Sequence, residues 1–239
     1  MKKKVISLVI SVGVLTSLFT GCVAKQNSEG KESAETINHE VYSRPDVTNP
    51  DDAQKLLVEG NKRFVDGNVL GEDISKENLK KLSGGQSPFA VIVSCSDSRV
   101  DPETVFDEGL GDIFVIRDAG NVLDKITLGS IEYGAGHLNA PLIVVLGHEK
   151  CGAVQAAVDN TKGSENLQGI LDKINISLKA VEAKNVPKDK INEEVENENI
   201  KNTVSEIEKD PEIEELIKSN KVKVVGAKYH IETGEVTFE

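Results

Sequence analysis

Phe89-Ala-Val-Ile-Val-Ser-Cys95 and Pro141-Leu-Ile-Val-Val-Leu-Gly147 decide the fold. Each is a short, β-branched apolar run without polar alternation, as expected of a strand buried on both faces. Ile113-Phe-Val-Ile116 between them reads as another such strand. Helices are predicted in the gaps. Asp101-Pro102-Glu103 gives a cap, a proline at the first helical position and an acid in the first turn. Thr127 to Leu138 carries Leu128, Ile131, Ala135 and Leu138 along one side, and a helix runs from about Cys151 to Val158. Buried strands alternating with helices specify an α/β fold with a mostly parallel central sheet flanked by helices.

Working outward, Asn49-Pro50-Asp51 starts a helix in which Leu56, Leu57, Phe64 and Val65 recur at helical spacing until Gly67. From Ser164 to Asn220 the sequence turns helical and charged. Ile170, Leu171, Ile174, Leu178 and Val181 form an amphipathic face, and Asn185-Val-Pro187 breaks it. The acid-rich stretch Glu193 to Glu215 reads as a solvated helix face. Lys221 to Gly226 returns to strand, and Glu232-Thr-Gly-Glu235 makes a hairpin turn before Val236 and Phe238, adding an edge strand or hairpin at the C-terminus.

The 239 residues hold 40 Asp and Glu against 28 Lys and Arg, a net charge of -12 that opposes nucleic-acid binding. At 38 % apolar with no Trp, the chain supports one sizeable core and not a multi-span membrane protein. At the N-terminus, Lys2-Lys3-Lys4 precedes an apolar run from Val5 to Phe19 that ends in Thr20-Gly21-Cys22. A basic region, a short apolar segment and small residues read as an export signal. The ending resembles the bacterial lipobox, which implies cleavage before Cys22 and a lipid on its sulfur. An ordinary secretory signal and an uncleaved anchor are the alternatives. The organisation expected is a signal peptide over residues 1–21, a flexible tether over 22–48 and a catalytic domain over 49–239. Cleavage removes three lysines and no acid, so -12 becomes -15, and an extracytoplasmic domain lipid-anchored to the cell membrane is expected.

Cys95 and His148-x-x-Cys151 follow the carboxyl ends of two strands that a parallel sheet can place side by side, where open α/β sheets bind ligands. Two thiolates and an imidazole suit Zn²⁺, and three ligands leave a fourth tetrahedral position open, as in catalytic sites. A buried Cys95, a capping His148 and a Cys95–Cys151 disulfide are the bland alternatives. In an extended strand exit, Cys95, Asp97 and Arg99 share a side, giving a carboxylate beside the metal ligand and a guanidinium to clamp it.

Cys95-Ser-Asp97-Ser-Arg99-Val100, Ala119-Gly-Asn121, Ser130-Ile-Glu-Tyr133 and Gly147-His148-x-x-Cys151-Gly-Ala153 resemble, in order and spacing, the signature blocks of β-class carbonic anhydrases. Glu59-Gly-Asn-Lys-Arg-Phe64 resembles that family's N-terminal helix, and Lys223-Val-Val-Gly-Ala-Lys-Tyr229 its last core strand. The resemblance covers roughly residues 51–238. It implies that Cys95, His148 and Cys151 bind zinc and that Asp97 and Arg99 form the catalytic dyad. The reaction implied is reversible hydration of CO₂ to bicarbonate, with activity rising with pH, in a homodimer or higher even oligomer. Some members carry a Trp three residues before the first ligand as part of a regulatory bicarbonate site; here that residue is Ile92. The plant-like subset has a Gln in the stretch after the dyad, whereas this chain reads Phe106-Asp-Glu-Gly-Leu-Gly-Asp112. His137 and His230 are weak candidates for a proton shuttle, and Tyr133 reads as a packing residue. The competing functions are a zinc hydrolase acting on another small linear substrate such as carbon disulfide, and a non-enzymatic lipoprotein stabilised by zinc.

Overall fold

The computed structural model describes residues 44–239, so the export signal, Cys22 and the tether as far as residue 43 lie outside the described residues. Helix α1 (Pro50–Val65) begins where Asn49 accepts the Asp52 amide, as the cap-and-proline signature predicts. A short α2 (Lys76–Leu82), capped by Ser75, follows without having been predicted, because its seven residues bury no side chain and show no apolar period. Strand β1 (Ala90–Ser94), helix α3 (Pro102–Val105), β2 (Ile113–Arg117), α4 (Lys125–Glu132), β3 (Leu142–His148) and α5 (Gly152–Val158) come next. Two long antiparallel helices, α6 (Glu165–Glu182) and α7 (Ile191–Glu208), precede α8 (Pro211–Lys218), β4 (Lys223–Tyr229) and β5 (Val236–Phe238).

The sheet has the order β2-β1-β3-β4-β5; the first four strands are parallel, and β5 runs antiparallel to β4. This is the mostly parallel α/β sheet with an added C-terminal edge strand expected from the sequence. Alternate strand residues feed two cores. Ala90, Ile92, Leu142, Val144 and Leu146 pack against Leu57 of α1 and Phe106. Val91, Val93, Ile143 and Val145 face Ile131 of α4, Ile200 and Ile207 of α7 and Ile213 of α8. Ile92 is fully buried in the first of these cores. A third cluster joins Val154 and Ala157 of α5 to Leu171, Ile174 and Val181 of α6 and Val195 of α7.

Two sequence expectations are corrected. The helix predicted over Thr127 to Leu138 is α4 followed by a π-helical turn at Tyr133–His137. Gly134 and Gly136 lie in that stretch, where low helix propensity lets the ladder loosen. The acid-rich stretch is not a solvated face throughout: α7 buries Val195, Glu196, Asn199, Ile200, Thr203 and Ile207. It lies directly on the sheet because Gly147 and Gly226 leave room for Ile200; a Cβ on Gly147 would sit 2.5 Å from Ile200 Cγ1.

The chain leaves β1, adds β2 on one side, and returns to add β3 on the other. The carboxyl ends of β1 and β3 therefore flank the point where the strand order reverses. A crevice opens there in open α/β sheets. Cys95 follows β1 directly and His148 ends β3.

Candidate metal centre and active site

The ligand atoms of Cys95, His148 and Cys151 lie within 4.8 Å of one another, and all three residues are buried. His148 Nδ1 donates to the Glu149 carbonyl at 2.8 Å, which fixes the tautomer and leaves Nε2 bare toward the two sulfurs. Nε2 is buried and has no well-formed hydrogen bond among the described residues, as expected of an atom reserved for a metal. Between the two ligands, Lys150 takes a left-handed backbone (φ 55°), which turns the chain so that His148 and Cys151 converge.

Each sulfur also meets backbone amides. Gly120 N donates to Cys95 Sγ at 3.2 Å. The amides of Val154 and Ala153, at the start of α5, face Cys151. The neighbouring Cys151 thiol pushes the Cys95 pKa down to about 4. Burial opposes that shift, while His148 and the Gly120 and Asp97 amides assist it. The same contact, together with burial, pushes the Cys151 thiol up. Burial works to lower the His148 pKa, but the adjacent Cys95 sulfur, the Glu149 carbonyl and Asp97 outweigh it, and the net shift is upward. The donor set of two thiols and one imidazole fits zinc, whose tetrahedral ligands stand about 2.0–2.3 Å from the ion. Cys95 and Cys151 are both free thiols, so the disulfide alternative is not what the structure contains.

Asp97 and Arg99 meet as a two-pronged ion pair. Arg99 Nε donates to Asp97 Oδ1 at 2.9 Å and Nη2 to Oδ2 at 2.7 Å, while the Arg99 amide adds a third bond to Oδ1. The Arg99 guanidinium and amide hold the Asp97 carboxyl down at about 2 against the opposing effect of burial; His148 adds to the lowering. Asp97 Oδ2 lies 3.9 Å from His148 Nε2, so the dyad overlooks the metal centre. Arg99 Nη2 also donates to the Lys150 carbonyl at 3.2 Å, tying the dyad to the second ligand loop.

The structure brings together Cys95, Asp97, Arg99, His148 and Cys151. It keeps His137 away: that residue precedes β3, at the opposite end of the strand from the ligands, and stacks on Tyr133. Tyr133 also packs on Phe114. His230 follows β4 at the ligand end, and its Nδ1 lies 2.8 Å from Glu149 Oε1.

Sequence reasoning missed Arg117 and the polar face of α7. Arg117, at the end of β2, donates to the Asp97 carbonyl at 2.8 Å and the Cys95 carbonyl at 3.2 Å, bracing the loop that carries ligand and dyad. Its position at the exit of the strand beside β1 was the available signal.

Known proteins agree with this geometry. The family described as carbonic anhydrase matches residues 90–236. Carbonic anhydrase 2 of Mycobacterium tuberculosis is 40 % identical over 196 residues, covering 80 % of this chain and 93 % of the relative. Carbonic anhydrase of Mycolicibacterium smegmatis is 37 % identical over 192 residues, 79 % of this chain and 93 % of the relative. Among solved structures, the β-carbonic anhydrase CcaA superposes with a TM-score of 0.64 at 28 % identity, covering 77 % of this chain and 94 % of that one. One of two tetrameric β-carbonic anhydrases from Sordaria macrospora does so with 0.63 at 27 %, covering 67 % and 84 %. With matching sequence, matching sheet and the cysteine–histidine cluster at its reversal point, the chain belongs to the β-carbonic anhydrases.

Proposed function

We propose that this protein hydrates CO₂ reversibly to bicarbonate and a proton, with zinc held by Cys95, His148 and Cys151 and with Asp97 and Arg99 as the catalytic pair. The observation that carries this reading is the Asp97–Arg99 pair set 3.9 Å from the bare His148 Nε2, inside a family of carbonic anhydrases. Zinc bound there would supply a Lewis acid that lowers the pKa of a bound water toward about 7, less far than a three-histidine site because two thiolates offset its charge.

The chain's own groups do the rest. Asp97, held down at about 2, stays a carboxylate throughout the neutral range and acts as a hydrogen-bond acceptor that orients the attacking oxygen. Arg99 occupies one edge of that carboxylate and fixes its direction. Because Asp97 is so acidic, it does not carry the product proton at neutral pH; buffer takes it.

We further propose that the domain works at the outer face of the cell membrane, anchored by a lipid on Cys22, as the export-signal pattern supports. A homodimer or higher even oligomer is supported by the sheet edge at β2, which no other strand pairs among the described residues. Tyr133, itself partly exposed, packs on Phe114 of that strand. The Sordaria relative is described as tetrameric.

Stopped-flow CO₂ hydration by zinc-loaded protein, from mildly acidic to mildly alkaline pH, tests the activity. A fast rate that rises with pH and falls about 100-fold or more in Asp97→Asn is expected. No rate above buffer with zinc bound refutes the reading and favours another small linear substrate. Cys22→Ala is expected to release the protein from membranes with unchanged solution activity; persistent association refutes the anchor.

A further inference from the structure

The acidic helix α7 hides one carboxylate. Glu196 is 6 % exposed, and its Oε1 accepts the backbone amide of Cys151 at 3.2 Å. Its Oε2 pairs with Lys228 Nζ of β4 at 3.0 Å, and Lys228, itself 7 % exposed, also donates to Asn197 Oδ1 at 2.8 Å. One and two turns further along the same face, Asn199 Nδ2 donates to the Gly120 carbonyl at 2.8 Å and Thr203 Oγ1 to the Asn121 carbonyl at 3.3 Å. Gly120 is the residue whose amide donates to Cys95 Sγ. The buried polar row of α7 thus touches the loop of one cysteine ligand and the loop that supports the other.

A buried charge pair is a poor device for stability alone, since two well-packed apolar side chains would serve as well or better. Its retention behind a ligand loop points to orientation. Groups one step behind a metal ligand fix its direction, and losing one typically weakens metal binding or activity 10- to 100-fold. We propose that Glu196, paired with Lys228, is a positioning residue for the metal centre: it holds the Cys151 amide from behind and so sets where the Cys151 sulfur points. The inference rests on the zinc reading given above.

The experiment measures zinc release into a chromogenic chelator from the full-length wild type, Glu196→Ala and Glu196→Gln, together with the thiolate-to-metal absorption band of each cobalt-substituted protein. Glu196→Ala is expected to release zinc 10- to 100-fold faster and to show a weakened, shifted band. Glu196→Gln keeps an acceptor oxygen and is expected within about threefold of wild type. Folded Glu196→Ala with wild-type release and band overturns the proposal, as does Glu196→Gln behaving like Glu196→Ala. If Glu196→Ala does not fold, the double variants E196Q/K228M and E196L/K228M, neither with a buried charge, decide the same point. Faster release from the second alone supports positioning, and equal release overturns it. Wild type that retains no zinc refutes the zinc reading itself, a result distinct from all of these.

Discussion

Replacing Gly120 by Ala perturbs fold and metal centre together. Gly120 has φ +70°, and an added Cβ would stand 2.8 Å from Ile174 Cδ1 and 3.3 Å from Ala153 Cβ. The left-handed backbone costs an L residue about 1–2 kcal/mol. Ile174 is fully buried, so the crowding has no exit and adds about 1–3 kcal/mol. Loss of unfolded-chain freedom returns about 0.4–1 kcal/mol, leaving a net destabilisation of about 3 kcal/mol. For a domain of this size that lowers Tm by about 6–12 °C. The same shift moves the Gly120 amide off Cys95 Sγ, so zinc release should quicken about 10-fold or more. Thermal unfolding followed by circular dichroism, with chelator competition alongside, measures both. Gly169→Ala is the control: its added Cβ meets nothing within 4 Å in the interior of α6, and it should raise Tm by about 2–4 °C. A Gly120→Ala protein within 2 °C of wild type that keeps its zinc would refute the reasoning.

Arg117→Ala frees the Cys95 and Asp97 carbonyls and is expected to cost about 10- to 100-fold in zinc retention or kcat/KM, read by chelator competition and stopped flow. Arg99→Met removes the main cause of the low Asp97 pKa, which should rise from about 2 toward the ordinary 3.8, as followed by carboxyl-carbon NMR. Because the folded pKa lies below the unfolded one, the pair adds stability above about pH 3.8 and loses it as pH falls through 2. The variant should therefore lack that pH-dependent contribution. Zinc at a thousandfold over its Kd stabilises the folded state by about 4 kcal/mol, so chelation should lower Tm by about 8–16 °C in calorimetry.

The strands, their parallel order and the five residues at their ends were readable because each announces itself locally: an apolar run, then a chemically unusual residue at its carboxyl end. Glu196, Asn199 and Thr203 do not announce themselves. A polar residue reads as solvent-facing unless its partner is known. Glu196 finds its partner on β4 and Asn199 on a backbone carbonyl 79 residues away. Counting those positions together with Ile200 and Ile207 restores a helical period, so the face was present in the pattern but hidden by polarity. Arg117 was missed for the same reason: its acceptors are main-chain carbonyls, which carry no signature in side-chain type.

The placement of Cys95 just past β1 and of His148 at the end of β3 has a consequence for exchange. These are the inner strands of the sheet, with every residue buried, and inner strands open only in the rarest, near-global fluctuations. A route to metal loss that requires Cys95 and His148 to part by opening these strands would wait for such an event. Asp97 and Arg99 lie on the exit loop, their side chains 16 % and 48 % exposed, and can exchange partners without disturbing the ladder. The fold thus separates two clocks: a slow one for the frame that would hold an ion, and a fast one for the exposed dyad beside it.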